Sequence, residues 1–331
     1  MTDPDGPAQA LVAHAKDLVR RGRIGEARAE LDEAAALHRR AGHRRDEARY
    51  TQFAATLCRL DGDLAAAKVR CRQVLTLCTA TGPVAAAAHA ELGEIALAEG
   101  SAADAVAAFG AALDTGGACD SGAAARAALL RKRAVASTAM ARYPDAIADL
   151  EAAHDLLVRA GDRSGATRAL IEVATALRHA GRTADAERVV EHAEGLATDD
   201  DDHAALADLH LLRAAQALDR RDPAAAMQSA QAARREALAA NAPTSYIGAA
   251  HTIAQLADAA GDRQGAYAAL ATGWVTVGDL LGGDIARMSF APKLGELHKR
   301  WGAAAFADVK RSYEARRRHD GPDRAAPPTT S

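Results

Sequence analysis

Few residues in this 331-residue chain combine reactive chemistry with a useful spacing. Cys71 and Cys78 lie seven apart and would share a helix face, but no Cys-x-x-Cys occurs. Cys58 and Cys71 fall on positions of buried type, so the four cysteines, Cys119 included, read as small core hydrophobes. Asp199 to Asp202 run directly into His203. Carboxylates in a row do not converge on one ion. They suit a solvated turn that brings negative charge to the N-terminus of the next helix. The twelve histidines are scattered, with no His-Glu-x-x-His pair. No Gly-rich phosphate loop and no Gly-x-Ser-x-Gly elbow occurs. Hence no catalytic residue, no cofactor and no metal is expected. Residues 293 to 318 carry eight Lys or Arg against three acidic residues. Arg316, Arg317 and Arg318 suit a helix C-terminus, where cations complement the dipole. A single-strand binder would need free aromatics on that basic face. Here the nearby ones are wanted for packing, so nucleic acid is not expected as a partner.

The elements that carry these residues follow from composition. The chain is 49% apolar but only 3% aromatic, and 90 of its residues are Ala. Sandwiches and barrels draw on β-branched and aromatic side chains, so they are excluded. Ala is the best helix former and lets backbones approach closely, which predicts packed helices. The net charge of −3 with 26% charged residues is too balanced for a disordered acidic chain. The N-terminal residues lack a basic stretch followed by an apolar one, and no apolar run approaches a membrane span. A cytoplasmic protein with reduced thiols and no membrane partner is expected.

A pattern recurs through most of the chain: a turn residue, then Ala five positions later. The anchors are Ala27, Ala67, Ala105, Ala146, Ala186, Ala226 and Ala266, spaced by 40, 38, 41, 40, 40 and 40 residues. The turn residue is Gly in five copies, and Ala141 or Arg221 in the other two. Twelve residues before each anchor stands a small residue: Ala15, Ala55, Gly93, Ala134, Ala174, Ala214 or Ala254. Seven residues after it stands Ala34, Val74, Ala112, Ala153, Ala193, Ala233 or Gly273. Four residues after it, Leu31, Cys71, Phe109, Leu150, Val190, Ala230 or Leu270 is mostly larger. Small residues mark where two helices approach, and the larger one plugs the neighbouring gap. Each copy therefore reads as a pair of helices, and the whole as a solenoid held together by neighbouring repeats.

These positions resemble the tetratricopeptide repeat (TPR). The stretch Arg142 to Ala153 looks like a near-consensus second helix, and Leu92-Gly93 matches the family's first-helix Leu-Gly. The resemblance covers residues 7 to 281. The period of about 40 exceeds the family's usual 34, and Leu11, His89 or Leu170 stands where the family has Trp. Such long repeats are similar to those of STAND-type bacterial regulators and of kinesin light chains. The resemblance implies an all-α right-handed superhelix of seven helix pairs over residues 1–281. It implies a concave groove lined by the first helices, where proteins or peptides lie. Carried over by position, the groove-facing set is Arg49, Gln52, Thr56, Arg59, Arg131, Arg168, Thr175, Arg178, His251 and Gln255. The arginines either engage partner carboxylates bidentately or only solvate an exposed face. The Lys-and-Asn clamp of chaperone-binding TPRs is replaced by Val12 and Lys16, Gln52 and Thr56, and Arg131 and Val135.

After Leu281 the pattern breaks at Gly282-Gly283 and resumes as helix, a C-terminal helical cap over 282–318. Seven of the eleven aromatics lie between Tyr246 and Tyr313. Trp274, Phe290, Trp301, Phe306 and Tyr313 either seal the end of an Ala-rich core or present an interface, such as a homodimer contact. Residues 319–331, with Pro322, Pro327 and Pro328, read as a disordered tail. The expected function is a non-catalytic scaffold that holds a protein or peptide in its groove. The alternative is a peptide or ligand sensor serving as regulatory subunit of a separate effector chain.

Overall fold

The computed structural model describes residues 4–78, 82–116 and 122–320. Cys119 and the tail beyond Asp320 lie outside the described residues. Sixteen helices and no strand occur among the described residues. The chain divides into two compact units, residues 1–182 and 183–331.

The first unit holds α1 (Asp5–Arg20), α2 (Ile24–Ala41), α3 (Arg44–Leu60), α4 (Leu64–Leu77), α5 (Pro83–Ala98), α6 (Ala102–Gly116), α7 (Ala123–Ala139), α8 (Tyr143–Arg159) and α9 (Arg163–His179). Each helix packs on the next, so the second helix of one repeat meets the first helix of the following one, and α3 also meets α5. The second unit holds α10 (Thr183–Asp199), α11 (His203–Asp219), α12 (Pro223–Ala239), α13 (Pro243–Ala259), α14 (Arg263–Leu281), α15 (Gly283–Trp301) and α16 (Ala303–Asp320). Here α11 meets α13 and α14 meets α16. The division falls between α9 and α10, the two helices of the fifth repeat. Helix α16 runs through His319 and Asp320, two residues into the segment read from sequence as tail.

The repeat positions behave as their sizes require. All seven anchor alanines are fully buried, and the residues four and seven positions after them are buried too. One repeat carries an aromatic plug, Phe109, and opposite it stands Gly93. A Cβ on Gly93 would sit 2.6 Å from the Phe109 ring, so the small residue twelve before the anchor must here be Gly. Burying such a ring is worth about 1.5–3 kcal/mol relative to exposure.

The turn residue closes each first helix in the left-handed conformation. Ala141 and Arg221, which replace Gly, adopt it too, at φ 56° and 61°. A side chain there costs roughly 1–2 kcal/mol. The turn holds because the next N–H reaches back to the helix, as in Arg142 N to Ser137 O at 2.9 Å. Asp63, Asp162, Asp202, Asp222 and Asp262 then cap the following helices, each accepting a backbone N–H three residues on at 2.8–3.0 Å. The run Asp199 to Asp202 thus supplies a cap for α11 through Asp202.

Candidate binding face on the first helices

Successive first helices of the first unit are cross-linked by polar side chains. From α3, Gln52 Nε2 donates to Ala87 O at 3.4 Å and Thr56 Oγ1 to Glu91 Oε2 at 3.1 Å. Arg59 Nε donates to Glu91 Oε1 at 2.5 Å. Lys132 of α7 pairs with Glu94 of α5. Arg131 forks onto Glu172 of α9, with Nε and Nη2 at 2.8 and 2.5 Å from its two oxygens. That hydrogen bond raises the Arg131 pKa, while partial burial opposes it. Arg59 and Arg131, two of the expected groove arginines, therefore spend donors on holding neighbouring repeats in register.

The remaining groove candidates make other contacts. Arg49 is exposed, its Cζ 5.6 Å from the Tyr50 ring centroid. Arg168 is exposed and reaches Ser164 Oγ at 3.3 Å. Thr175 donates back to Ile171 O at 2.8 Å, and Arg178 is half-buried near the end of α9. In the second unit, His251 Nε2 donates to Ser289 O at 3.1 Å and its ring meets the edge of Phe290. Burial lowers the His251 pKa from its ordinary value. Gln255, one turn on, is exposed.

Between α1 and α3 the same face opens into an apolar cleft of about 360 Å³. Its walls are Val12 and Val19 of α1, Leu31 of α2, and Phe53 and Leu57 of α3. Lys16 and Arg20 stand exposed on its lining, Arg20 with a 3.7 Å contact to Asp17. Phe53 is 48% exposed in a chain with only eleven aromatics. Sequence reasoning missed Phe53. The available signal was its register: it sits fourteen before its anchor, where the next repeats carry Glu91 and Lys132. Three positions that replace the chaperone clamp, Val12, Lys16 and Thr56, line this cleft. A second cleft of about 370 Å³ in the other unit is polar, and Arg213 and Arg220 on its wall pair with Glu194 and Glu187.

The aromatic residues near the C-terminus pack on one another. Phe290 is fully buried against Gly273, whose Cβ would lie 2.7 Å from the ring. Trp301 is half-buried and donates Nε1–H to Asp258 at 2.6 Å, and Arg300 pairs with the same carboxylate. Tyr267 meets Phe306 and Tyr313 edge-on at 5.5 and 5.4 Å. Tyr313 OH and Thr272 Oγ1 are 3.1 Å apart, and Trp274 is half-buried beside the cluster. Phe290 in particular is unavailable to any partner.

Cys58 and Cys71 are fully buried, and burial pushes the Cys71 thiol up to about 12, which removes thiolate reactivity. No helix among the described residues is long and apolar enough to cross a membrane.

No family model and no curated protein sequence matches the chain. Solved structures do. The chain is 13% identical to a signal-transduction ATPase of the STAND type with a tetratricopeptide repeat sensor from Pyrococcus horikoshii. That match has a TM-score of 0.62 and covers 86% of this chain and 44% of that one. A tetratricopeptide repeat protein from Parabacteroides merdae is 15% identical, with a TM-score of 0.59 over 86% of this chain and 98% of that one. Aspartyl phosphate phosphatase F from Bacillus subtilis is 13% identical, with a TM-score of 0.56 over 82% and 70%. Helix pairs of about 40 residues, packed on small buried positions, give this chain the fold of the TPR-like repeat proteins.

Proposed function

We propose that this protein is a non-catalytic scaffold that binds an amphipathic peptide segment of a protein partner on the first helices of its N-terminal repeats. The observation that carries this reading is the apolar cleft walled by Val12, Val19, Phe53 and Leu57. A half-exposed Phe on a helix face costs solvation and gains little packing in the free chain. In a complex it becomes a buried aromatic anchor. Lys16 and Arg20 favour acidic residues flanking the apolar anchor of the partner. The intramolecular pairs of Arg59 and Arg131 support a role for these arginines in stiffening the face rather than in capturing carboxylates.

The test is co-purification from the native cell extract with wild type, Phe53→Ser and Lys132→Ala, circular dichroism verifying that all are folded. A partner lost with Phe53→Ser and kept by Lys132→Ala is expected. A partner indifferent to Phe53→Ser would overturn the reading. The likeness to a chain with a repeat sensor favours a second reading, a regulatory subunit that changes shape on binding. That reading expects ligand-dependent compaction in small-angle scattering.

A further inference from the structure

We propose that Asp5, His38 and His43 form a binding site for a borderline divalent transition ion, Zn2+ by preference, which ties the start of α1 to the α2–α3 junction. Each residue offers one ligand atom, and the three atoms lie within 4.8 Å of one another. His38 is 1% exposed, and neither of its ring nitrogens has a hydrogen-bond partner among the described residues. A buried imidazole without partners is costly unless something fills its lone pair. Asp5 Oδ1 is 4.0 Å from His38 Nε2, too far for a hydrogen bond. Four-coordinate ligands at about 2.0–2.1 Å from Zn2+ stand a little over 3 Å apart, so a small rotation of the exposed Asp5 and His43 side chains closes the site.

The backbone holds two of the ligands in place. His38 lies in the last turn of α2 and His43 is the residue before α3. Gly42 between them takes φ 76°, and His43 N donates to His38 O at 2.9 Å. The two rings lie 5.6 Å apart between centroids. Asp5 comes from the opposite end of the same helix pair, the first residue of α1. Arg39, next to His38, is turned onto Glu47 at 2.7 Å, and Arg44, next to His43, donates to Thr76 O at 3.0 Å. Two imidazoles and one carboxylate select borderline transition ions over Mg2+ or Ca2+, which take oxygen ligands. Exposed Asp5 and His43 give the ion an entry path, and water completes the coordination.

The experiment uses the full chain without a purification tag. Co2+ is added first as a spectroscopic probe, then Zn2+ in competition. One equivalent is expected, with the visible d–d bands of a four-coordinate site and no sulfur-to-cobalt charge transfer, which would betray the cysteines. Zn2+ is expected to raise the thermal midpoint by mass action. Because His38→Ala removes a buried side chain and endangers folding, the variants are His43→Ala and Asp5→Asn. Each is expected to weaken binding about tenfold or more and to abolish the thermal gain, with unchanged circular dichroism. Absence of d–d bands, a charge-transfer signature, or a thermal gain retained in both variants would overturn the site.

Discussion

The first and last helix pairs of this chain face the same problem, the exposed end of an Ala-rich stack, and handle it differently. At the C-terminal end, Phe290 fills the space over Gly273, and Tyr267, Phe306, Tyr313 and Trp301 form an aromatic cluster in the same core. Asp258 accepts from both Arg300 and Trp301. At the N-terminal end, α1 buries only Ala8, Ala15 and Leu18, and beside it Phe53 is left half-exposed in an open cleft. Its core is mainly aliphatic with Tyr50 as the buried aromatic, and His14 Nδ1 meets Glu30 at 3.0 Å on its surface. Aromatic area is concentrated where the C-terminal end is sealed, whereas at the N-terminal end Tyr50 is buried and Phe53 is left half-exposed.

The sharpest way to break this contrast is truncation of each aromatic. Phe290→Ala should cost the second unit about 3–5 kcal/mol, read as a lowered urea midpoint by tryptophan fluorescence. Trp274 and Trp301 both report on that unit. Phe53→Ser should change stability by no more than about 0.5 kcal/mol. Equal losses would mean that Phe53 is structural after all.

Next in size is a methyl added beneath the seal. Gly273→Ala meets the Phe290 ring at 2.7 Å and Ala250 Cβ at 3.3 Å, and should cost about 1–3 kcal/mol. Gly295→Ala, on the neighbouring helix α15, meets nothing within 4 Å and should be neutral or gain up to about 1 kcal/mol from helix propensity. A neutral Gly273→Ala in thermal denaturation would show that the seal is loosely packed.

Smaller again is release of turn strain, which compares the two units directly. Ala141→Gly in the first and Arg221→Gly in the second should each stabilise by about 1 kcal/mol. A differential-calorimetry gain in only one transition would show that the other turn is held by contacts the backbone angle does not report.

The smallest effect is a pH dependence. Burial lowers the pKa of His251 and of His210, both in the second unit. The unfolded chain therefore takes up a proton near pH 6.5 that the folded unit accepts only at lower pH. Stability of this unit should fall as pH drops below about 6.5 and level off beneath the depressed folded values. His251→Asn should reduce that slope in urea titrations without removing it, because His210 remains. An unchanged slope would show that His251 does not contribute.

Much of the fold is legible in the sequence. The seven anchors, the small residues twelve before and seven after them, and the plugs four after them are all buried, because a helix–helix crossing constrains residue size at fixed intervals. The turn position was legible even at Ala141 and Arg221, since the period demanded a left-handed residue there whatever its type. The candidate face was legible only in outline. Its helices follow from the repeat, but the partners of Arg59 and Arg131 sit in the next repeat, 32 and 41 residues on, where pairwise spacing carries no signal.

The amino-acid sequence by itself determined helix, repeat, register and the small-residue crossings, because these are local or strictly periodic properties. Only the tertiary structure decided which polar groups were spent and which were left over. Arg59, Arg131 and Lys132 were consumed in ion pairs between stacked helices. Phe53 was left facing an open cleft, and Asp5 was brought to His38 and His43 across the length of a helix pair. Those outcomes depend on which side chain meets which across an interface, and a one-dimensional period fixes the distance between helices without naming the atoms that face each other.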